Sequence, residues 1–225
     1  MDYVIFDFGH TLVNKEIRRE HVFRNAMSAC GIDIPFELVS ESYRAVDLFL
    51  QYSSVNIKTK IEREDFYYKY NLFLLRYLGC TKDSDRYLKS IFKEFSKPNK
   101  WILFDDVMSS LKVLSKKYRL GILSNWDPTL IDLVKENNIL FFFDFIVSSA
   151  EIGIEKPDKA FFEHCLSKYN LNKEDIVYVG DSYNLDIETT NKLKIKNVLV
   201  DRYDYYKYSD CEKVQSLEEL VKILK

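Results

Sequence analysis

Five short apolar runs constrain this chain more than any other feature. Residues 3–6 (YVIF), 119–123 (RLGIL), 145–148 (FIVS), 176–179 (IVYV) and 197–200 (NVLV) are rich in β-branched and aromatic side chains, and each is followed by turn or acidic residues. Continuous apolar runs of this length are how parallel strands buried on both faces read. Helical patterns lie between them. Residues 105–117 place Val107, Leu111 and Leu114 on one face, and residues 128–137 open at Pro128 behind Asp127, an N-cap candidate. Residues 158–169 follow Pro157 in the same style, and Ser216 with Glu219 forms a capping box ahead of Leu220, Val221, Ile223 and Leu224. Strand–helix alternation of this kind predicts a doubly wound α/β core around a parallel sheet.

Residues 14–99 break the alternation. They carry amphipathic segments at 15–30, 36–52, 62–78 and 84–96, separated near Gly31, Ser53-Ser54, Gly79 and Pro98, and no convincing strand. The expected organisation is a core of residues 1–13 and 100–225 with an all-helical insert, 14–99, after the first strand. An insert at a strand's carboxyl end lies where open α/β sheets bind ligands, so it is a candidate lid. The run Phe66-Tyr67-Tyr68-Tyr70-Phe73 is read as packing within that insert. Tyr203, Tyr205, Tyr206 and Tyr208, after the last strand, suit either surface packing or a contact between two copies.

Composition removes several classes of function. The 33 Lys+Arg against 35 Asp+Glu leave no basic footprint for nucleic acid. The longest apolar stretch, 139–147, carries Asp144 and falls far short of the roughly 20 residues of a membrane span. Cys30, Cys80, Cys165 and Cys211 are scattered, without disulfide or metal spacing, and neither a basic n-region nor a long apolar h-region opens the chain. The expectation is a cytoplasmic protein, monomer or homodimer, with no nucleic-acid or membrane partner.

The ends of the runs carry the chemistry. Asp7 closes the first, Ser124 the second and Asp181 the fourth, with Asp186 five residues further on and Lys156 ahead of Pro157. Strand ends of one parallel sheet share an edge, so these residues could converge. Three carboxylates together demand a cation or raised pKa values, and hard oxygen donors suit Mg²⁺ held with a substrate phosphate. A carboxylate attacking a phosphoryl group needs its repulsion cancelled, which a divalent ion, Lys156 and the Ser124 hydroxyl would do.

YVIFDFGHTL, GILSN, GIEKPDKAFF and YVGDSYNLD, in that order and each tied to a predicted strand, resemble the four motifs of the haloacid dehalogenase-like hydrolase superfamily, in its branch with a helical cap after the first strand. The resemblance covers essentially the whole chain. It implies a Rossmann-like core and hydrolysis of small phosphomonoesters, with Mg²⁺ as cofactor and a small phosphorylated metabolite as partner. Asp7 would be nucleophile and metal ligand, and Ser124 and Lys156 would hold the phosphoryl group. Gly9, through its carbonyl, with Asp181 and Asp186 would complete the metal set, and His10, Thr11 and Asn125 would contact substrate.

The pattern departs from the family at Gly9, where relatives carry a second Asp as general acid/base, and at His10, where they carry Gly. General acid catalysis is commonly worth 10²–10⁴-fold, and His10 is the residue placed to take over part of it. Thr189-Thr190 replaces a frequent Gly-Ala, which packing explains. Two rival readings follow from Gly9: a metal-independent L-2-haloacid dehalogenase, which also lacks that Asp, and a non-catalytic module that binds a phosphorylated ligand.

Overall fold

The computed structural model describes residues 2–51, 60–207 and 209–224. The expected break at Ser53-Ser54 and the side chain of Tyr208 lie outside them. In chain order the elements are β1 (Tyr3–Phe6), β2 (Val13–Lys15), α1 (Arg19–Ser28), α2 (Phe36–Gln51), α3 (Lys60–Tyr77), α4 (Ser84–Phe95) and β3 (Trp101–Leu103). There follow α5 (Val107–Leu114), β4 (Arg119–Ser124), α6 (Leu130–Glu136), β5 (Phe143–Ser148), α7 (Ser149–Ile152), α8 (Lys159–Lys168), β6 (Ile176–Gly180), α9 (Glu188–Leu193), β7 (Lys196–Val200), β8 (Lys213–Val214) and α10 (Leu217–Ile223). The chain divides into two compact units, Met1–Asn14 with Trp101–Lys225, and Lys15–Lys100.

The first unit is built on a six-stranded parallel sheet in the order β5-β4-β1-β6-β7-β8. The two-residue side-chain period of a strand splits its residues between two cores. Val4, Phe6, Leu120, Ile122, Val177 and Val179 face one core, closed by Val107 and Leu111 of α5, Leu130 and Val134 of α6 and Leu217 and Leu220 of α10. Tyr3, Ile5, Leu123, Ile176 and Tyr178 face the other, closed by Phe161, Phe162 and Cys165 of α8. Every β1 residue is buried on one face or the other, which is why the run carries no polar alternation. The fold is α/β and Rossmann-like.

Register decides what meets at the carboxyl edge. Phe6 pairs with Ile122 of β4 and Val179 of β6. Continued one residue along each chain, that register sets Asp7 level with Leu123 and Gly180, one step short of Ser124 and Asp181.

The unit Lys15–Lys100 is helical, with Phe23, Ala26, Met27, Val39, Tyr43, Leu74, Leu75, Leu88 and Ile91 at its centre. Tyr70 is buried and Phe66 packs on this cluster, as expected of the aromatic run. Tyr67, Tyr68 and Phe73 are instead exposed, because an α-helix cannot turn five such closely spaced residues to one side.

Several local expectations shift. β2 and β3 form a two-stranded ladder where no strand was expected. The helix expected from Pro128 starts at Leu130, because the Asp127 carboxylate accepts the N–H (2.8 Å) and hydroxyl of Thr129 in a turn ahead of it. Ser216 caps α10 by accepting from Glu219 N–H at 3.2 Å, but the Glu219 carboxylate returns to the N–H of Gln215 rather than that of Ser216. The loop after β7 folds on itself: Asp201 accepts from the N–H groups of Tyr205 and Tyr206, and the Tyr206 hydroxyl accepts from Tyr183 N–H. Among the described residues, no helix is long and apolar enough to cross a membrane.

Candidate active site

Asp7, the first residue past β1, is buried, and its N–H donates to the Val179 carbonyl at 2.8 Å, fixing it between β4 and β6. One carboxylate oxygen, Oδ1, accepts from Ser124 Oγ at 2.8 Å and from Lys156 Nζ at 2.6 Å. Lys156 Nζ also donates to Asp186 Oδ1 at 2.6 Å and to the Tyr178 hydroxyl at 3.0 Å, and only 2% of its side chain is exposed. Burial alone would lower the pKa of the ammonium. The opposing charges of Asp186 and Asp7 outweigh it and hold the Lys156 pKa well above its usual value.

Asp186 reaches this position through a π-helical turn, Tyr183–Ile187, which opens with Ser182 accepting from Leu185 N–H. Its Oδ2 accepts the Ser182 N–H at 3.0 Å, so the carboxylate folds back over the end of β6. The residue beneath is Gly180, where an added Cβ would lie 2.3 Å from Asp186 Oδ2. Gly180→Ala is expected to push that carboxylate out of its place, costing about 1–3 kcal/mol as overpacked cores do together with most of the turnover. Thermal unfolding and initial rates of the variant check both.

Oxygen atoms of Asp7, Asp181 and Asp186 lie within 4.8 Å of one another. Asp181 is half-buried and accepts from Thr11 Oγ1 at 3.2 Å. Burial first, then the charges of Asp7 and Asp186, raise its carboxyl well above the ordinary range, and burial likewise raises that of Asp186 against the pull of Lys156. With all three carboxylates ionised, three negative charges face one ammonium. The surplus of two negative charges on oxygen donors fits a divalent cation such as Mg²⁺.

Asp7, Ser124, Lys156, Asp181, Asp186 and Thr11 are thus brought together, though the buried Thr11 spends its hydroxyl on Asp181 rather than facing a substrate. Asn125 is also committed elsewhere. Its Oδ1 accepts the Lys156 N–H at 2.8 Å and its Nδ2 donates to the Lys156 carbonyl at 2.9 Å, so its amide clamps the backbone that carries the buried ammonium. His10 is exposed at φ 58°, its ring edge-on to Trp101 at 5.6 Å. Gly9 lies under Trp126, whose ring an added Cβ would meet at 2.9 Å. Tyr178 escaped the sequence reading, because a tyrosine in an apolar strand reads as core. Its buried hydroxyl donates to the Leu123 carbonyl at 2.8 Å while accepting from Lys156.

The model of the haloacid dehalogenase-like hydrolase family matches residues 4–200. The chain belongs to that family. Haloacid dehalogenase-like hydrolase domain-containing protein 3 of Danio rerio is 32% identical over 141 residues, 60% of this chain and 58% of that protein. Glyceraldehyde 3-phosphate phosphatase of Methanocaldococcus jannaschii is 36% identical over 88 residues, 37% of this chain and 39% of that enzyme. The chain spans about half the length of the curated relatives it matches. Among solved structures, a HAD-hydrolase from Bacillus subtilis bound to magnesium aligns with a TM-score of 0.64 at 18% identity, covering 99% of this chain and 98% of that one. A 2-haloacid dehalogenase from Pseudomonas syringae aligns with a TM-score of 0.56 at 20% identity, covering 100% and 98%. Both likenesses concern the fold of these HAD hydrolases.

Proposed function

We propose that this HAD hydrolase is a Mg²⁺-dependent phosphomonoesterase acting on a small phosphorylated metabolite. The observation that carries the reading is the convergence of Asp7, Asp181 and Asp186, whose carboxylate oxygens lie within 4.8 Å of one another beside the buried Lys156, which pairs with two of them. A carbon-attacking dehalogenase has no use for a cation-sized cluster of carboxylates, and a binding module has no use for a nucleophile. The phosphatase among the relatives supports the same reading.

Asp7, Asp181 and Asp186, with the Gly9 carbonyl, would hold the ion, which supplies positive charge to the phosphoryl oxygens. The free oxygen of Asp7 forms a bond to phosphorus while the bond from phosphorus to the ester oxygen breaks. Ser124 and Lys156 hold the other Asp7 oxygen, which fixes the attack direction, and the positive charge of the Lys156 ammonium offsets the negative charge that gathers beside it. The departing oxygen takes up a proton from solvent water, and a water molecule then attacks phosphorus of the aspartyl-phosphate, breaking its bond to the Asp7 oxygen and releasing inorganic phosphate with Asp7 restored. Residues 14–99 act as the cap that selects the substrate.

Phosphate release from p-nitrophenyl phosphate is expected to stop in EDTA and return with Mg²⁺. Because the Asp181 carboxyl is raised, protons compete with the cation: below its folded pKa the site is protonated, and above it the ligand is ready. Half-activation therefore needs less Mg²⁺ as pH rises through that folded pKa. Halide release from 2-chloropropionate that ignores EDTA, with no phosphate release, would overturn the reading.

A further inference from the structure

We propose that Arg202, in the loop after β7, is a positioning residue that sets the affinity of the carboxylate cluster for its divalent cation by fixing Thr11. The guanidinium spans two partners. Its Nε and Nη2 donate to the Thr11 carbonyl at 3.2 and 2.8 Å, and its Nη1 donates to both carboxylate oxygens of Asp106 at 3.0 and 3.1 Å. It lies 3.8 Å over the Phe104 ring, and only 7% of its side chain is exposed. Asp106 is itself anchored by the N–H of Leu217 at 2.6 Å, and Phe104 by donating its N–H to the Leu12 carbonyl at 3.2 Å. The arginine therefore joins the start of α5 and the start of α10 to one peptide of the loop that follows β1.

That peptide belongs to Thr11, whose hydroxyl donates to Asp181 at 3.2 Å. A rigid fork on the Thr11 carbonyl restrains the backbone from which its hydroxyl reaches Asp181. Fixing Thr11 in turn holds Asp181 at the distance the cluster requires. Partners that orient a metal ligand from behind typically change metal affinity by 10–100-fold when removed. The proposal rests on the reading of Asp181 as a metal ligand.

The test titrates Mn²⁺, detected by electron paramagnetic resonance, into wild type, Arg202→Ala, Arg202→Lys, Thr11→Val and the double variant Arg202→Ala/Thr11→Val. Thermal unfolding without metal is measured beside it. Arg202→Ala is expected to raise the Mn²⁺ Kd by about 10–100-fold. Arg202→Lys is expected to fall between Arg202→Ala and wild type, since one ammonium cannot serve both Thr11 and Asp106. In the Thr11→Val background, loss of Arg202 should add little, because the hydroxyl through which it acts is gone. A purely structural arginine would lower the melting temperature and leave Kd unchanged in every background, and that result overturns the proposal. Should Arg202→Ala not fold, a wild-type Kd in Arg202→Lys overturns it equally. Wild type that binds no Mn²⁺ removes the metal reading and this proposal with it, whereas binding unaffected by Arg202 removes this proposal alone.

Discussion

Asp7→Asn is expected to lose phosphatase turnover by about 10⁴–10⁶-fold, the range seen when the attacking group of a covalent mechanism is removed. An amide oxygen lacks the charge to attack phosphorus, while its shape leaves β1, β4 and β6 undisturbed. Asn at this position still offers an oxygen to Ser124 and Lys156, and Lys156 keeps Asp186 as its charged partner. The variant should therefore fold. Circular dichroism confirms the fold and initial rates measure the loss. Acid quenching of a turnover mixture containing ³²P-labelled substrate should trap label on wild type and none on the variant. Activity of more than roughly a hundredth of wild type would mean that Asp7 is not the nucleophile.

Lys156→Met has the second-largest expected effect, and it falls on stability before activity. The side chain is 2% exposed and bridges two buried carboxylates, Asp7 and Asp186. Removing one member of a buried ion pair typically costs about 3–5 kcal/mol, because the partner charge is left without compensation. For a chain of this size that is a drop of about 6–20 °C in melting temperature. The pH dependence follows from sign. In the variant the carboxyls of Asp181 and Asp186 are raised by burial and mutual repulsion, now without the lysine that opposed it. A carboxyl whose folded pKa lies above the unfolded value of about 4 contributes stability below that value and loses it as pH rises through the folded pKa. Lys156→Met should therefore be most stable in acid and weaken toward neutrality, with Mg²⁺ recovering part of the loss by replacing the missing positive charge. A melting temperature equal to wild type at pH 8 without metal would contradict this account.

How much of this was legible beforehand follows from how locally each feature is encoded. The five long strands of the sheet were readable because strands buried on both faces leave no room for polar alternation, and Val4 with Phe6, and Tyr3 with Ile5, occupy opposite cores. Asp7 and Asp181 were readable because a charge directly after such a run has to lie at the sheet's edge, whereas Asp186, carried in by the turn Tyr183–Ile187, was legible through the resemblance of YVGDSYNLD to a family motif. β2 and β3 were not: Val-Asn-Lys and Trp-Ile-Leu are too short to show a period, and they pair across 85 intervening positions of sequence, from 16 to 100. Tyr178 was hidden by its own apolarity. The partners of Asn125 and Arg202 were hidden by distance, since what each touches here lies 31 and 191 residues away and no local pattern announces such a meeting.

The contact between Gly9 and Trp126 ties two positions that chemistry alone would treat separately. A side chain installed at position 9, by design or by drift, would meet the indole at 126, so that ring has to shift or be trimmed to admit it. The side chains that position 9 can accept are therefore set by where the ring at 126 lies.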